Sequence, residues 1–85
     1  MASGTFTGTG TSTPVAGMKF KLVLDFAGTA SVDLEEQLPD GSAWIKVATG
    51  ITADYSQNYE TSQMTTLRWN CTAHTNNVGW FMDRL

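Results

Sequence analysis

The stretch Leu67-Arg68-Trp69-Asn70-Cys71-Thr72-Ala73 alternates without interruption between apolar and polar side chains. Its apolar positions are Leu67, Trp69, Cys71 and Ala73. Successive side chains of a β-strand point to opposite faces, so this period of two predicts a half-buried strand in an antiparallel sheet. The stretch therefore predicts an all-β fold in which the apolar positions face the core.

Two alternating runs precede this stretch and predict a hairpin. The first begins at Met18 and places Phe20, Leu22, Leu24 and Phe26 on one face. The second places Val32 and Leu34 inward and Ser31, Asp33 and Glu35 outward. Ala27-Gly28-Thr29 between the runs is typical of a short turn.

A second turn is predicted at Leu38-Pro39-Asp40-Gly41-Ser42, because Pro fixes φ and Gly accepts a positive φ. It leads into a third strand, Trp44-Ile45-Lys46-Val47, which is expected to pair with the second. Residues 51–64 predict one or two short strands within a polar loop. A closing strand is predicted at Val78-Gly79-Trp80-Phe81-Met82.

These elements predict a small antiparallel β-sandwich or barrel of roughly six to eight short strands. A chain of 85 residues has room for one small core. The expected division is a single β-sandwich domain at 18–85, preceded by an extended Thr/Gly-rich N-terminal arm or edge strand at 1–17. A disordered tail is the alternative for the first segment.

The charge of the chain argues against two classes of function. The net charge is −3 and the five basic residues are scattered, so no basic stripe is present to follow phosphates and nucleic-acid binding is not expected. No apolar stretch of about 18 residues and no secretory signal are present. These features predict that the chain does not associate with membranes and that it is made and assembled in a cytoplasm. Charged residues make up only 15% of the chain, which favours protein contact.

Cys71 and His74 are the only cysteine and the only histidine. Their separation of three places them on opposite faces of a regular strand, which argues against a nucleophilic pair. Cys71 is expected to be a buried packing residue and His74 a solvated turn residue. We therefore expect no enzymatic activity and no cofactor. The alternative is a small hydrolase, which would need a reactive Cys71 or His74.

The acidic residues Asp33, Glu35 and Glu36 concentrate on one predicted strand. Asp33 and Glu35 share a face, but a calcium ion takes about six to eight oxygen ligands. No metal site is expected, and the three carboxylates are predicted to form a solvated outer face.

The three tryptophans, Trp44, Trp69 and Trp80, raise the alternative of a carbohydrate-binding module, which needs at least two coplanar exposed rings. Trp69 is on the apolar side of its strand and is expected in the core. Trp80 and Phe81 are adjacent and must point to opposite faces, so at least one of them is expected at the surface or in an interface.

Three segments together resemble small all-β virion proteins of tailed bacteriophages. They are the strand Gly28–Glu35, the hairpin Asp40-Gly41-Ser42-Ala43-Trp44, and the strand Arg68-Trp69-Asn70-Cys71-Thr72-Ala73. The similarity extends from about Gly17 to the end of the chain. The final strand is more aromatic than that group's pattern.

The resemblance implies a virion structural protein that assembles through protein–protein contacts. The favoured role is a capsid decoration or cement protein that stabilises the head, and a neck or tail subunit is the alternative. The implied partners are the major capsid protein or other virion proteins and further copies of the chain, with a homotrimer expected. The residues expected at such interfaces are Thr5, Phe6, Thr7, Trp80 and Phe81.

Overall fold

The computed structural model describes residues 2–85, which form antiparallel β-strands in one continuous sheet. The strands are β1 (Ala2–Phe6), β2 (Gly10–Thr11), β3 (Val15–Phe26), β4 (Ala30–Gln37), β5 (Trp44–Ile51), β6 (Tyr55–His74) and β7 (Val78–Arg84). The predicted all-β class is confirmed. Within residues 2–85 there is no helix long and apolar enough to cross a membrane.

The long strand β6 connects the two halves of the sheet. The strand order is β1-β7-β3-β6-β4-β5, and β2 also pairs with β6. The predicted hairpin between the run from Met18 and the run at 31–35 is therefore wrong, because β6 lies between β3 and β4. The first half of β6 pairs with β3, from Tyr55 opposite Leu24 to Glu60 opposite Lys19. Its second half pairs with β4, from Leu67 opposite Glu36 to His74 opposite Ala30. One strand therefore contributes to both halves, whose inner faces share a single core.

The core is built from the predicted alternating positions. Its buried members are Phe6, Phe20, Leu22, Leu24, Ala30, Val32, Leu34, Leu67, Trp69, Cys71, Val78, Trp80 and Met82. Trp69 is fully buried, and the Tyr55 ring packs edge-on against it with the centroids 5.9 Å apart. Edge-to-face packing is a favoured arrangement for aromatic pairs, so Tyr55 extends the core along β6.

The prediction of short strands in a polar loop at 51–64 is wrong, because residues from Tyr55 onward belong to the 20-residue strand β6. Only Ile51, Tyr55 and Tyr59 in this segment pack on the core, so the apolar alternation that marks a strand is missing. The strand is held by its pairing with β3. A register shift between Gly17 and Lys19 leaves Thr61 to Met64 as a bulge on β6.

Ala73 is exposed, which corrects the prediction that it faces the core. Cys71 pairs with Val32 and Ala73 with Ser31, so Thr72 is an extra residue on β6. A bulge of this kind interrupts the alternation of faces. The alternating pattern of the sequence therefore holds through Cys71 and ends there.

The described part of the N-terminal segment is incorporated into the sheet. β1 pairs with β7 in continuous register from Ala2 opposite Met82 to Phe6 opposite Val78. Beyond β2, the Ser12 N–H donates to the Trp69 carbonyl at 2.9 Å, and the Trp69 N–H donates to Ser12 Oγ at 2.8 Å. Residues 2–6 thus form an edge strand of the sheet and not the disordered tail that was the alternative. Met1 lies outside the described residues.

Candidate functional site

Asp33 and Glu35 are buried although they point away from the core, which corrects the prediction of a solvated acidic face. Arg68 Nε donates to Glu35 Oε1 at 2.7 Å, and the Asn70 side-chain amide donates to Oε2 at 2.9 Å. The Arg68 guanidinium also lies 4.0 Å from the centroid of the Trp44 ring. Long side chains from β5 and β6 thus cover Glu35 on the outer face of the sheet.

Asp33 is held in the same way by β5. Lys46 Nζ lies 3.1 Å from Asp33 Oδ2, and the Gly50 N–H donates to Oδ1 at 2.9 Å. Gly50 has a φ of 64°, which suits glycine and helps to turn its N–H toward the carboxylate. Within residues 2–85 no group of three or more metal-binding side chains is present. The two carboxylates are therefore charge partners of a lysine and an arginine.

Cys71 and His74 are separated by the bulge at the end of β6. Cys71 is buried, and burial raises the pKa of its thiol. The thiol donates a 3.5 Å hydrogen bond to the Ala73 carbonyl. His74 Nε2 lies 3.1 Å from Asn77 Oδ1 and the residue is half-buried, so the predicted solvated turn position is only partly correct. A thiol with a raised pKa is a weak nucleophile at neutral pH.

The tryptophans do not form an exposed pair. Trp69 is 0% and Trp80 6% exposed, and the half-buried Trp44 carries the Arg68 guanidinium on its ring. A sugar platform of two coplanar tryptophans, the feature on which the carbohydrate-binding alternative depends, is therefore not formed in this conformation.

The five residues predicted at interfaces are divided between the two faces of the sheet. Phe6 and Trp80 point inward and pack against each other with ring centroids 6.3 Å apart. Phe81 points outward and is 40% exposed, which confirms that at least one residue of the Trp80-Phe81 pair reaches the surface. Thr5 lies on the same outward face, opposite Gly79, and Thr7 is exposed just beyond β1.

Phe81 borders a shallow depression of about 380 Å³ on this outward face. Val23 lies directly opposite Phe81 on β3, and Asp25 and Asp54 contribute two carboxylates to the lining. The remaining lining residues are Leu24, Tyr55 and Ser56. Asp54 Oδ1 accepts the Phe26 N–H at 2.9 Å, which fixes the loop before β6 over the end of β3.

The depression lies outside the set of site residues predicted from sequence, apart from Phe81. Its carboxylates come from β3 and from the loop at 52–54, which pairing of β3 with β6 brings together. The sequence contains part of the evidence for the depression. The outward-facing row on β3 is Lys19, Lys21, Val23 and Asp25, and its only apolar member, Val23, lines the depression. The contribution of the loop is visible only in the fold.

Comparison with protein-family models, with curated proteins and with solved structures gives no match. The functional argument therefore depends on the residues and geometry of this chain.

Proposed function

We propose that this chain is a structural protein of a bacteriophage virion, and that it acts as a capsid decoration or cement protein through protein–protein contacts. Its partners would be the major capsid protein or other virion proteins and further copies of itself. It would be made in the host cytoplasm and end in the virion. The resemblance of the Gly28–Glu35, Asp40–Trp44 and Arg68–Ala73 segments to small phage virion proteins supports the proposal.

The observation that carries the proposal is the outward position of Phe81. A large aromatic side chain that is 40% exposed on a sheet face, beside Val23 and an open depression, is typical of the apolar centre of a contact surface. Its neighbour across the β1 pairing is the small side chain of Ser3, which leaves the ring uncovered. Thr5 on the same face supplies a neutral, polar rim.

The test uses purified protein and capsids that lack it. We expect the wild-type chain to bind these capsids in stoichiometric amounts, and Phe81→Ser to weaken binding roughly tenfold or more, as for removal of an interface anchor. Val47→Ser is the matched control, because Val47 is 39% exposed but lies on β5. Binding should be retained in this control.

Two outcomes would contradict the proposal. If the folded wild-type chain ignores the capsid shell, the decoration role is wrong, and binding to isolated necks or tails would reassign it to the alternative virion position. If Phe81→Ser and Val47→Ser bind equally well, the outward face of β7 is not the contact surface.

A further inference from the structure

The sheet formed by residues 2–85 has two open edges, β1 and β5. β5 pairs with β4 on one side and with no described strand on the other. Most of its residues are exposed, including Ile45 at 45% and Val47 at 39%. A strand at the edge of a sheet presents unpaired N–H and C=O groups, which can accept a strand from another chain.

The register of the β4–β5 hairpin shows which backbone groups of β5 are free. The Leu38 N–H donates to the Ala43 carbonyl at 2.8 Å, so these two residues form the hydrogen-bonded pair that closes the hairpin. Hydrogen-bonded and non-hydrogen-bonded pairs alternate along an antiparallel ladder, which places Ile45 in the next pair that is hydrogen-bonded to β4. Trp44 and Lys46 therefore direct their N–H and C=O groups to the open edge.

The features that normally protect an edge strand are weak in this part of β5. The strand contains no proline, and Lys46 is its only charged residue. An exposed lysine discourages strand pairing, but Lys46 Nζ lies 3.1 Å from Asp33 Oδ2, so a carboxylate of the same sheet partners its charge. Both register shifts between β4 and β5 lie beyond Lys46, which leaves Trp44–Lys46 as a regular segment.

The other open edge, β1, offers less to a second strand. Its central residue is Gly4, and the flanking exposed side chains of Ser3 and Thr5 are small and polar. Glycine weakens a strand and provides no side chain to pack. β5 instead contains tryptophan, isoleucine and valine, which are aromatic and β-branched residues that favour strands.

The free groups of β5 match those of a second copy of β5 in one antiparallel register. In this register Trp44 of each copy lies opposite Lys46 of the other, so that all their N–H and C=O groups are paired and no two lysines are directly opposite. Ile45 lies opposite Ile45 of the second copy in a non-hydrogen-bonded pair, with a Cα–Cα distance of about 4.5 Å. The two exposed isoleucines then contact each other at the two-fold axis. Contacts in which the same surface of each copy meets are closed and join exactly two copies.

We propose that two copies of the chain pair through the open edges of β5 in this antiparallel register and extend the sheet across the contact. The inference goes beyond capsid decoration, because β5 is separated from β7 in the sheet by β3, β6 and β4. The Phe81 surface therefore stays available for a capsid. The contact joins copies in pairs, so the homotrimer expected for a virion component would use a different surface.

The first test is sedimentation velocity of the purified full chain over a range of concentrations, with charges placed at the axis. Ile45→Lys and Ile45→Glu each put like charges directly opposite each other, so each variant alone should self-associate roughly tenfold or more weakly than the wild type. An equimolar mixture of the two variants pairs opposite charges and should associate again. Thr49→Lys and Thr49→Glu are the controls, because Thr49 is exposed on the same strand but lies outside the paired segment. Thermal melts of each variant confirm that the chain is folded.

The second test needs no variant. Amide hydrogen exchange of the wild type should show that the Trp44 and Lys46 N–H groups become protected as the protein concentration rises. The Ile45 N–H, which is bonded to β4, should be protected at every concentration. Association without added protection at Trp44 and Lys46 would overturn the proposal, because the contact would then lie elsewhere.

A wild-type chain that stays monomeric would also overturn the proposal, as would Ile45 variants that associate like the Thr49 controls or a mixture that stays dissociated. If the monomeric chain loses capsid binding through Ile45→Lys but not through Thr49→Lys, the edge accepts a strand of a virion partner instead of a second copy. Phe81→Ser should leave the β5 contact intact while it weakens capsid binding. The two proposals therefore fail separately.

Discussion

Arg68 and Glu35 form a 2.7 Å hydrogen-bonded ion pair on the outward side of the sheet, where the Glu35 side chain is 7% exposed. The pair connects β4 to β6, and the Trp44 ring of β5 stacks on the guanidinium. Three neighbouring strands are thus joined outside the apolar core. The Arg68 side chain is 23% exposed, so solvent reduces the strength of the pair below that of a fully buried one.

We expect Arg68→Met to lower the free energy of unfolding by about 2–3 kcal/mol, because it leaves Glu35 buried without its cation. Urea unfolding measures the change. The double variant Arg68→Met with Glu35→Leu is the control, and it should be more stable than Arg68→Met alone because no buried charge remains. A double variant whose loss is the sum of the two single losses would show that Glu35 does not depend on Arg68.

Ser12→Ala should destabilise the chain by about 1–3 kcal/mol, because the Trp69 N–H would lose its acceptor, Ser12 Oγ, in a buried position. The measurement is the urea midpoint, together with hydrogen exchange of the Trp69 amide. Thr13→Ala changes the next residue, which is exposed, and should stay within about 0.5 kcal/mol of the wild type. Equal effects of the two substitutions would remove the role given to the Ser12 hydroxyl.

The apolar alternation of the sequence predicted the core because it reports directly which face of a strand is buried. Phe20, Leu22, Leu24 and Trp69 are all in the core as expected. Apolar alternation gives no information on a polar segment that becomes a strand by pairing with its neighbour. For this reason the sequence pattern does not predict the first half of β6 as part of one long strand. Pairing with β3, many residues away along the chain, decides its conformation.

The burial of Asp33 and Glu35 was also beyond the sequence pattern. Alternation correctly places them on the outward face, but their cover comes from Lys46, Arg68 and Trp44 on other strands. The depression beside Phe81 depends in the same way on the loop that carries Asp54. An alternating sequence pattern predicts to which face of the sheet each side chain points. Which other side chains cover that face depends on strand register and on bulges.

Gly4→Ala should destabilise the chain by about 1–3 kcal/mol, because a Cβ at this position would lie 2.9 Å from Nε1 of the buried Trp80 ring, which would have to shift. Gly8→Ala is the matched control, since nothing lies within 4 Å of a Cβ there. Thermal unfolding compares the two variants. If both alanines have the same effect, close packing of β1 on Trp80 does not explain the glycine at position 4.

Burial raises the pKa of the Cys71 thiol, which makes the stability of the chain sensitive to alkaline pH. The thiol of the unfolded chain ionises near the ordinary value of 9.0, whereas the folded chain keeps its proton to higher pH. Stability from this group is therefore fully present below about pH 9 and is lost as the pH rises toward the folded value, at up to about 1.4 kcal/mol per pH unit.

Urea unfolding of the wild type and Cys71→Ala at pH 8, 9 and 10 should show the wild type losing stability faster. Tyr59, whose pKa is also raised by burial and then by Glu36, remains in both proteins and cancels in the comparison. Parallel pH profiles for the two proteins would mean that Cys71 ionises as readily in the folded chain as in the unfolded one.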